Sequence, residues 1–231
     1  MLDQTNYRSV SGLQGGPFLE VSFLLPLDVS RRELLEVLLV RLKELEVRVD
    51  VVRGHEAVIQ ASGAFVNGYL SDDKDPRSEW YHTMRVDLMF YMDCPRQSSL
   101  YITQVSSSLV CVDFCFFGSE DDEPEWNQKG VSRSQLPQFK ELLIMFFHAF
   151  DFVAGMVAHE TDVLDLFGLD LTWPNEAFTI DTLRSTWNGG MGNQALIAVV
   201  TNNSYIDPEM AKGSIGVENY VLHIPGRANR P

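Results

Sequence analysis

Residues 100–117, LYITQVSSSLVCVDFCFF, read as strand from end to end, yet eighteen residues exceed the length of an ordinary strand. Such a segment must break or bend inside a sheet. Ser106-Ser107-Ser108 is the place for it, as a hairpin or as a bend. The choice matters for what lies on either side. One bent strand would put the segments before residue 80 and after residue 117 at the same end of the sheet. A hairpin would put them at opposite ends.

The rest of the chain supplies partners for this segment. PFLEVSFLLPL (17–27) reads as a strand whose apolar positions Phe18, Val21, Phe23 and Leu25 alternate only in part, the pattern of burial on both faces. Ser30 and Glu33 form a capping box ahead of Leu34, Leu35, Leu38, Leu42 and Leu45, which predicts a helix over 31–45. Val47, Val49 and Val51 alternate with Arg48 and Asp50, and the chain is expected to return over 57–66 as a hairpin. A further strand is predicted over 80–92, with Met84, Val86, Leu88 and Phe90 on one face. A long helix is predicted over 135–166, capped by Ser132 or Ser134, with Pro137 in its first turn and Gly168 as its stop. A short helix near 176–187 and strands at 195–201 and 217–224 complete the reading, with residues 1–16 and 225–231 as tails. The fold class is therefore α+β. It is an antiparallel sheet of five or more strands with two main helices, 31–45 and 135–166, packed largely on one face. A single domain spans 1–231, and 170–231 either extends the sheet or forms a small appendage.

Charge narrows the choice of function. The 231 residues carry 18 basic and 32 acidic side chains, a formal net charge of −14. Residues 118–182 hold 3 basic and 13 acidic side chains, against 11 and 16 in 1–117 and 4 and 3 in 183–231. Such a balance repels nucleic acid and anionic membrane surfaces and attracts basic partners. The three cysteines show no metal-ligand spacing. Cys111 and Cys115 lie in an apolar run where reduced cysteine acts as a small hydrophobe, which fits a reducing cytoplasmic setting. The N-terminal segment lacks a basic start followed by an apolar stretch, so no secretory signal is expected. No run approaches the ~18 apolar residues of a membrane helix.

Two acidic, tryptophan-bearing segments are the leading candidates for partner binding. One carries Asp72, Asp73, Asp75, Glu79 and Trp80, the other Glu120, Asp121, Asp122, Glu123, Glu125 and Trp126. Carboxylates steer basic partners at range, and tryptophan supplies a large anchor. The expected function is thus a non-catalytic acidic protein that occludes a basic partner, as immunity proteins do when they neutralise toxins. Two other readings stand beside it. One is a metal-dependent hydrolase using a polar stripe of helix 135–166, in which His148, Asp151, Gly155, His159 and Asp162 share a face. His148 and His159 would lie ~16 Å apart along the axis, which leaves His159 and Asp162 as the candidate ligand pair. The other is a structural or oligomeric subunit. HETD at 159–162 lacks the second histidine of HExxH. The glycines at 189–192 follow a helix and precede a strand, the reverse of a phosphate cradle. No GxSxG elbow and no activated-cysteine signature occurs, so the reading leans away from an enzyme and calls for no cofactor. A pairing of Cys111 or Cys115 with His223 is the spatial arrangement that spacing leaves open.

Overall fold

The computed structural model describes residues 18–26, 31–45, 47–52, 83–106, 108–116, 131–168, 177–187, 196–211 and 220–224. In chain order the elements are β1 (Leu19–Pro26), α1 (Arg31–Glu44), β2 (Arg48–Val51), β3 (Thr83–Tyr91), β4 (Pro95–Gln104), β5 (Leu109–Phe116), α2 (Leu136–Phe150), β6 (Ala154–His159), α3 (Ile180–Thr186), β7 (Leu196–Asn202), α4 (Pro208–Ala211) and β8 (Tyr220–Ile224). The eight strands form one sheet in the order β2-β3-β4-β5-β1-β6-β7-β8. Every neighbouring pair is antiparallel except β7 and β8, which run parallel. The architecture is α+β, and β7 and β8 extend the sheet from the C-terminal third.

Period-two alternation assigns side chains to the two faces of this sheet. One face presents Leu19, Val21, Phe23 and Leu25 of β1, Val110, Val112, Phe114 and Phe116 of β5, and Met84, Val86, Leu88 and Phe90 of β3. These side chains share a core with Leu34, Leu35, Leu38 and Leu42 of α1 and with Phe139, Leu142, Leu143, Phe146, Phe147 and Phe150 of α2. Aromatic rings knit the layers together. Phe23 stacks on Phe150 and Phe152 with centroids 5.5 and 4.9 Å apart, and Phe116 meets Phe139 edge-on at 4.9 Å. Each such ring, fully buried, contributes about 1.5–3 kcal/mol. A second core lies on the opposite face around β6 and β7. There Met156, Ala158 and Val199 pack with Leu164, Leu166 and Phe167 of a 3-10 turn (Val163–Phe167) and with Leu183 and Trp187 at α3.

The Ser106–Ser108 region is a hairpin. Gln104 and Val110 are register partners, and the Val105 and Ser106 amides both donate to the Leu109 carbonyl. Consequently β3 begins and β5 ends at opposite ends of the sheet. The β3–β4 turn is fixed separately: the buried Arg96 guanidinium donates to Asp93, which also accepts from Gln135 just before α2.

The long helix expected over 135–166 is present only in its first half, as α2. It ends at Phe150, and β6 follows after three residues. Asp151 closes the helix in a left-handed conformation (φ 45°), a place usually taken by glycine. Its carboxylate accepts from Asn202 Nδ2 at 2.8 Å, and Asn202 is itself fully buried at the end of β7. β6 is buried on both faces, so its AGMVAH run is apolar without alternation and mimics a buried helix in sequence. The start of α2 also differs from expectation. Gln135 is the cap residue and makes no side-chain cap bond, while Ser132 and Ser134 hydrogen-bond each other across a 3-10 turn at 133–135. Gly168 does stop an element, but it is the 3-10 turn at 163–167 (φ 60°). The Ser30–Glu33 capping box, the strand expected over 57–66, the glycines at 189–192 and both tails lie outside the described residues, as does the side chain of His223.

Candidate functional site: a carboxylate and thiol cluster on the central strands

β1 and β5 are adjacent at the middle of the sheet, and both carry polar groups on the face turned away from α1 and α2. Antiparallel register sets Glu20 directly opposite Cys115, and Ser22 directly opposite Asp113. Side chains paired in this way have Cβ atoms about 4.5–5.5 Å apart. The four residues therefore form the corners of a square. Its neighbours across the flanking strands are Ala158 and Met156 on β6, and Ser99 and Tyr101 on β4. Ligand atoms of Glu20, Asp113 and Cys115 all lie within 4.8 Å of one another, and among the described residues this is the group with spacing suited to a metal ion. The Cys115 thiol donates to Asp113 Oδ2 at 3.0 Å. Asp113 Oδ1 and Ser22 Oγ are buried without a hydrogen-bond partner.

The electrostatics of the square are one-sided. Burial pushes the Glu20 carboxyl up to about 9, and Asp113, Asp162, Glu160 and Asp165 each raise it further. Burial likewise lifts Asp113 to about 8, only partly offset by the bond from Cys115, with Asp162 adding to the rise. The thiols of Cys115 and Cys111 are also held far above their usual range, burial again coming first. Among the described residues, the charged neighbours acting on Glu20 are all acids. Arg85, on the same face two strands away, is engaged with Asp87 at 3.0 Å and lies over the Tyr101 ring. The arrangement can hold shared protons or a cation, because two carboxylates this close and this buried cannot both stay charged unaided.

The structure separates the two residues expected to share a metal. His159 ends β6 in register with Leu19, on the face that bears α1 and α2, and its Nδ1 is buried without a partner. Asp162 caps the 3-10 turn at 163–167, accepting from the Leu164 amide at 2.7 Å, and its charge bears on Glu20 and Asp113 from the other face. The helical stripe is dismantled with the helix. His148 is exposed on α2, Asp151 is its cap, and Gly155 lies within β6. Both acidic segments, with Asp72, Asp73, Asp75, Glu79, Trp80, Glu120, Asp121, Asp122, Glu123, Glu125 and Trp126, lie outside the described residues.

Neither strand marks the square by itself. The available signal was a lone carboxylate in each of two apolar strands, Glu20 in LEVSFLLP and Asp113 in LVCVDFCF. Only the pairing of β1 with β5, which are far apart in the chain, joins them. No protein-family model matches the chain, and no curated protein or solved structure matches it. The fold and the site define an α+β protein with an acidic, thiol-bearing cluster at the centre of its sheet.

Proposed function

We propose that this is a non-catalytic acidic binding protein that occludes a basic protein partner, in the manner of an immunity or inhibitor protein neutralising a toxin. The observation that carries the reading is the concentration of charge: 13 acidic against 3 basic side chains in residues 118–182. Within that stretch Glu160 and Asp165 are exposed at the end of β6 and in the following 3-10 turn, which supports an outward display of part of the acidity. Free Cys94, Cys111 and Cys115 support a cytoplasmic setting. Among the described residues no helix is long and apolar enough to cross a membrane. In this reading the carboxylates of the two acidic segments pair with lysines or arginines around the partner's site, and Trp80 or Trp126 serves as an anchor.

Because β3 begins and β5 ends at opposite ends of the sheet, the two segments are tested separately. The tagged full chain is used to capture proteins from the lysate of its own source at low and high salt. One variant replaces Asp72, Asp73 and Asp75 with Ser, and another replaces Asp121, Asp122 and Glu123 with Ser. The reading expects a stoichiometric basic protein, lost at high salt and lost in at least one variant. Capture that ignores both variants, or an acidic captured protein, overturns it.

A further inference from the structure

We propose that Glu20, Asp113 and Cys115, completed by Ser22, form a binding site for a borderline-soft divalent cation of the zinc class. This site is separate from the acidic segments, and the partner reading stands or falls without it.

The geometry comes from the pairing of two central strands. Glu20 and Ser22 are two residues apart on β1, Asp113 and Cys115 two apart on β5, and register sets them corner to corner on one face. Three of the four corners already bring an oxygen, an oxygen and a sulfur within 4.8 Å of one another. Ligands around one tetrahedral zinc, at about 2.0–2.3 Å from the metal, lie about 3.3–3.8 Å from one another, so binding draws these groups together by up to about 1.5 Å. Strands fix such positions more tightly than loops do, because each corner is locked by backbone pairing on both sides.

An independent observation points to a ligand at the same place. Ser22 is fully buried, its Oγ has no hydrogen-bond partner, and it faces Asp113 across the β1–β5 pair. Asp113 Oδ1 is buried and unpartnered beside it. Buried polar groups are costly unless paired, so orphaned oxygens on two directly opposed register partners call for a partner there. A hydroxyl could be satisfied by an acceptor, but a second carboxylate oxygen needs a donor or a cation. The outer ring has the same sign: Glu160, Asp162 and Asp165 all bear on Glu20 and favour approach of a positive ion.

The donor set chooses the class of ion. Two carboxylates alone would suit magnesium or calcium, but those ions take oxygen ligands in larger number. A thiolate in the set favours zinc, and cobalt(II) as its spectroscopic stand-in. Binding is an exchange of protons for metal. The ion displaces the Cys115 thiol proton and whatever protons the two carboxyls hold, and these pass to solvent. Affinity therefore rises with pH.

Cobalt(II) titrated into the EDTA-treated full chain is the direct test. The expected result is one equivalent bound with a near-ultraviolet sulfur-to-cobalt charge-transfer band, displaced by zinc. That band disappears in Cys115→Ser and persists in Cys94→Ser. Zinc at a hundred-fold excess over its Kd raises Tm by about 5–10 °C. Glu20→Gln guards against misfolding as an explanation, since it replaces a carboxyl that burial already keeps protonated with a neutral group of nearly the same shape. It keeps or raises the metal-free Tm and abolishes most of the zinc-induced rise. Absence of the band, its persistence in Cys115→Ser, or an equal zinc response in Glu20→Gln overturns the proposal.

Discussion

Glu20 and Asp113 sit where the unfolded chain would never hold a proton at neutral pH. Their ordinary values are 4.5 and 3.8, and in the folded protein they are raised to about 9 and about 8, chiefly by burial. A native state that keeps protons the unfolded state has shed is most stable at low pH. The contribution is complete below the unfolded values and is lost as pH climbs through the folded ones. For metal-free protein, Tm should fall steadily between about pH 5 and pH 9 from this pair. Asp113→Asn removes one titrating partner and should flatten that slope by roughly half. Thermal melts of EDTA-treated protein across the range check this, and a wild-type Tm that stays level would contradict it. These residues were legible only as oddities, a carboxylate in each of two apolar strands. Nothing in either segment says that the other is its neighbour.

At the scale of elements, α2 and β6 show how closely a helix and a strand can be drawn together. Gly155 is the contact point. A Cβ added there would come within 2.8 Å of Leu143 Cδ1 and 2.9 Å of the Phe152 ring. Gly155→Ala should therefore destabilise the protein by about 1–3 kcal/mol through overpacking. Urea denaturation measures this, and the Gly155→Ala, Leu143→Ala double variant should cost less than the two single changes added together. An unchanged midpoint in Gly155→Ala would mean that α2 shifts freely. The same corner explains the misread helix. Its stop is Asp151 held left-handed by Asn202, and Asn202 comes from a strand fifty-one residues later. A glycine at that position would have announced the end locally. By contrast α1 and β3 fall within a few residues of their predicted bounds because one face of each is buried and the other is not, while β7, buried almost throughout, is delimited by turn-forming residues, the glycines at 189–192 before it and Asn203 after it.

Over the whole molecule, the net charge of −14 works against compaction. Raising salt from low to physiological strength shortens the Debye length to about 8 Å and relieves that repulsion. Tm should rise with sodium chloride, by about 2–4 °C for each kcal/mol of relief. Calorimetry at constant pH tests it, and a fall in Tm would indicate that attractive pairs dominate instead. The visible surface pairs are too weak to do so: Arg41–Glu44, Arg48–Asp50 and Arg184–Asp181 are all well exposed. Among the described residues β2 is an outermost strand of the sheet; it is only four residues long and carries exposed Arg48 and Asp50, charges that discourage further strand addition.

The amino-acid sequence by itself determined the α+β class, the periodic helices and strands, and the excess of acid. Those depend on local spacing and on counts, which a chain displays without being folded. It left the Ser106–Ser108 break undecided between hairpin and bend, and it concealed β6, because a strand buried on both faces has no polar side to betray its period. Strand order was decided only in three dimensions. β1 lies between β5 and β6, and that placement, set by burial of Phe23 among the rings of α2, is what carries Glu20 to Cys115 and Ser22 to Asp113.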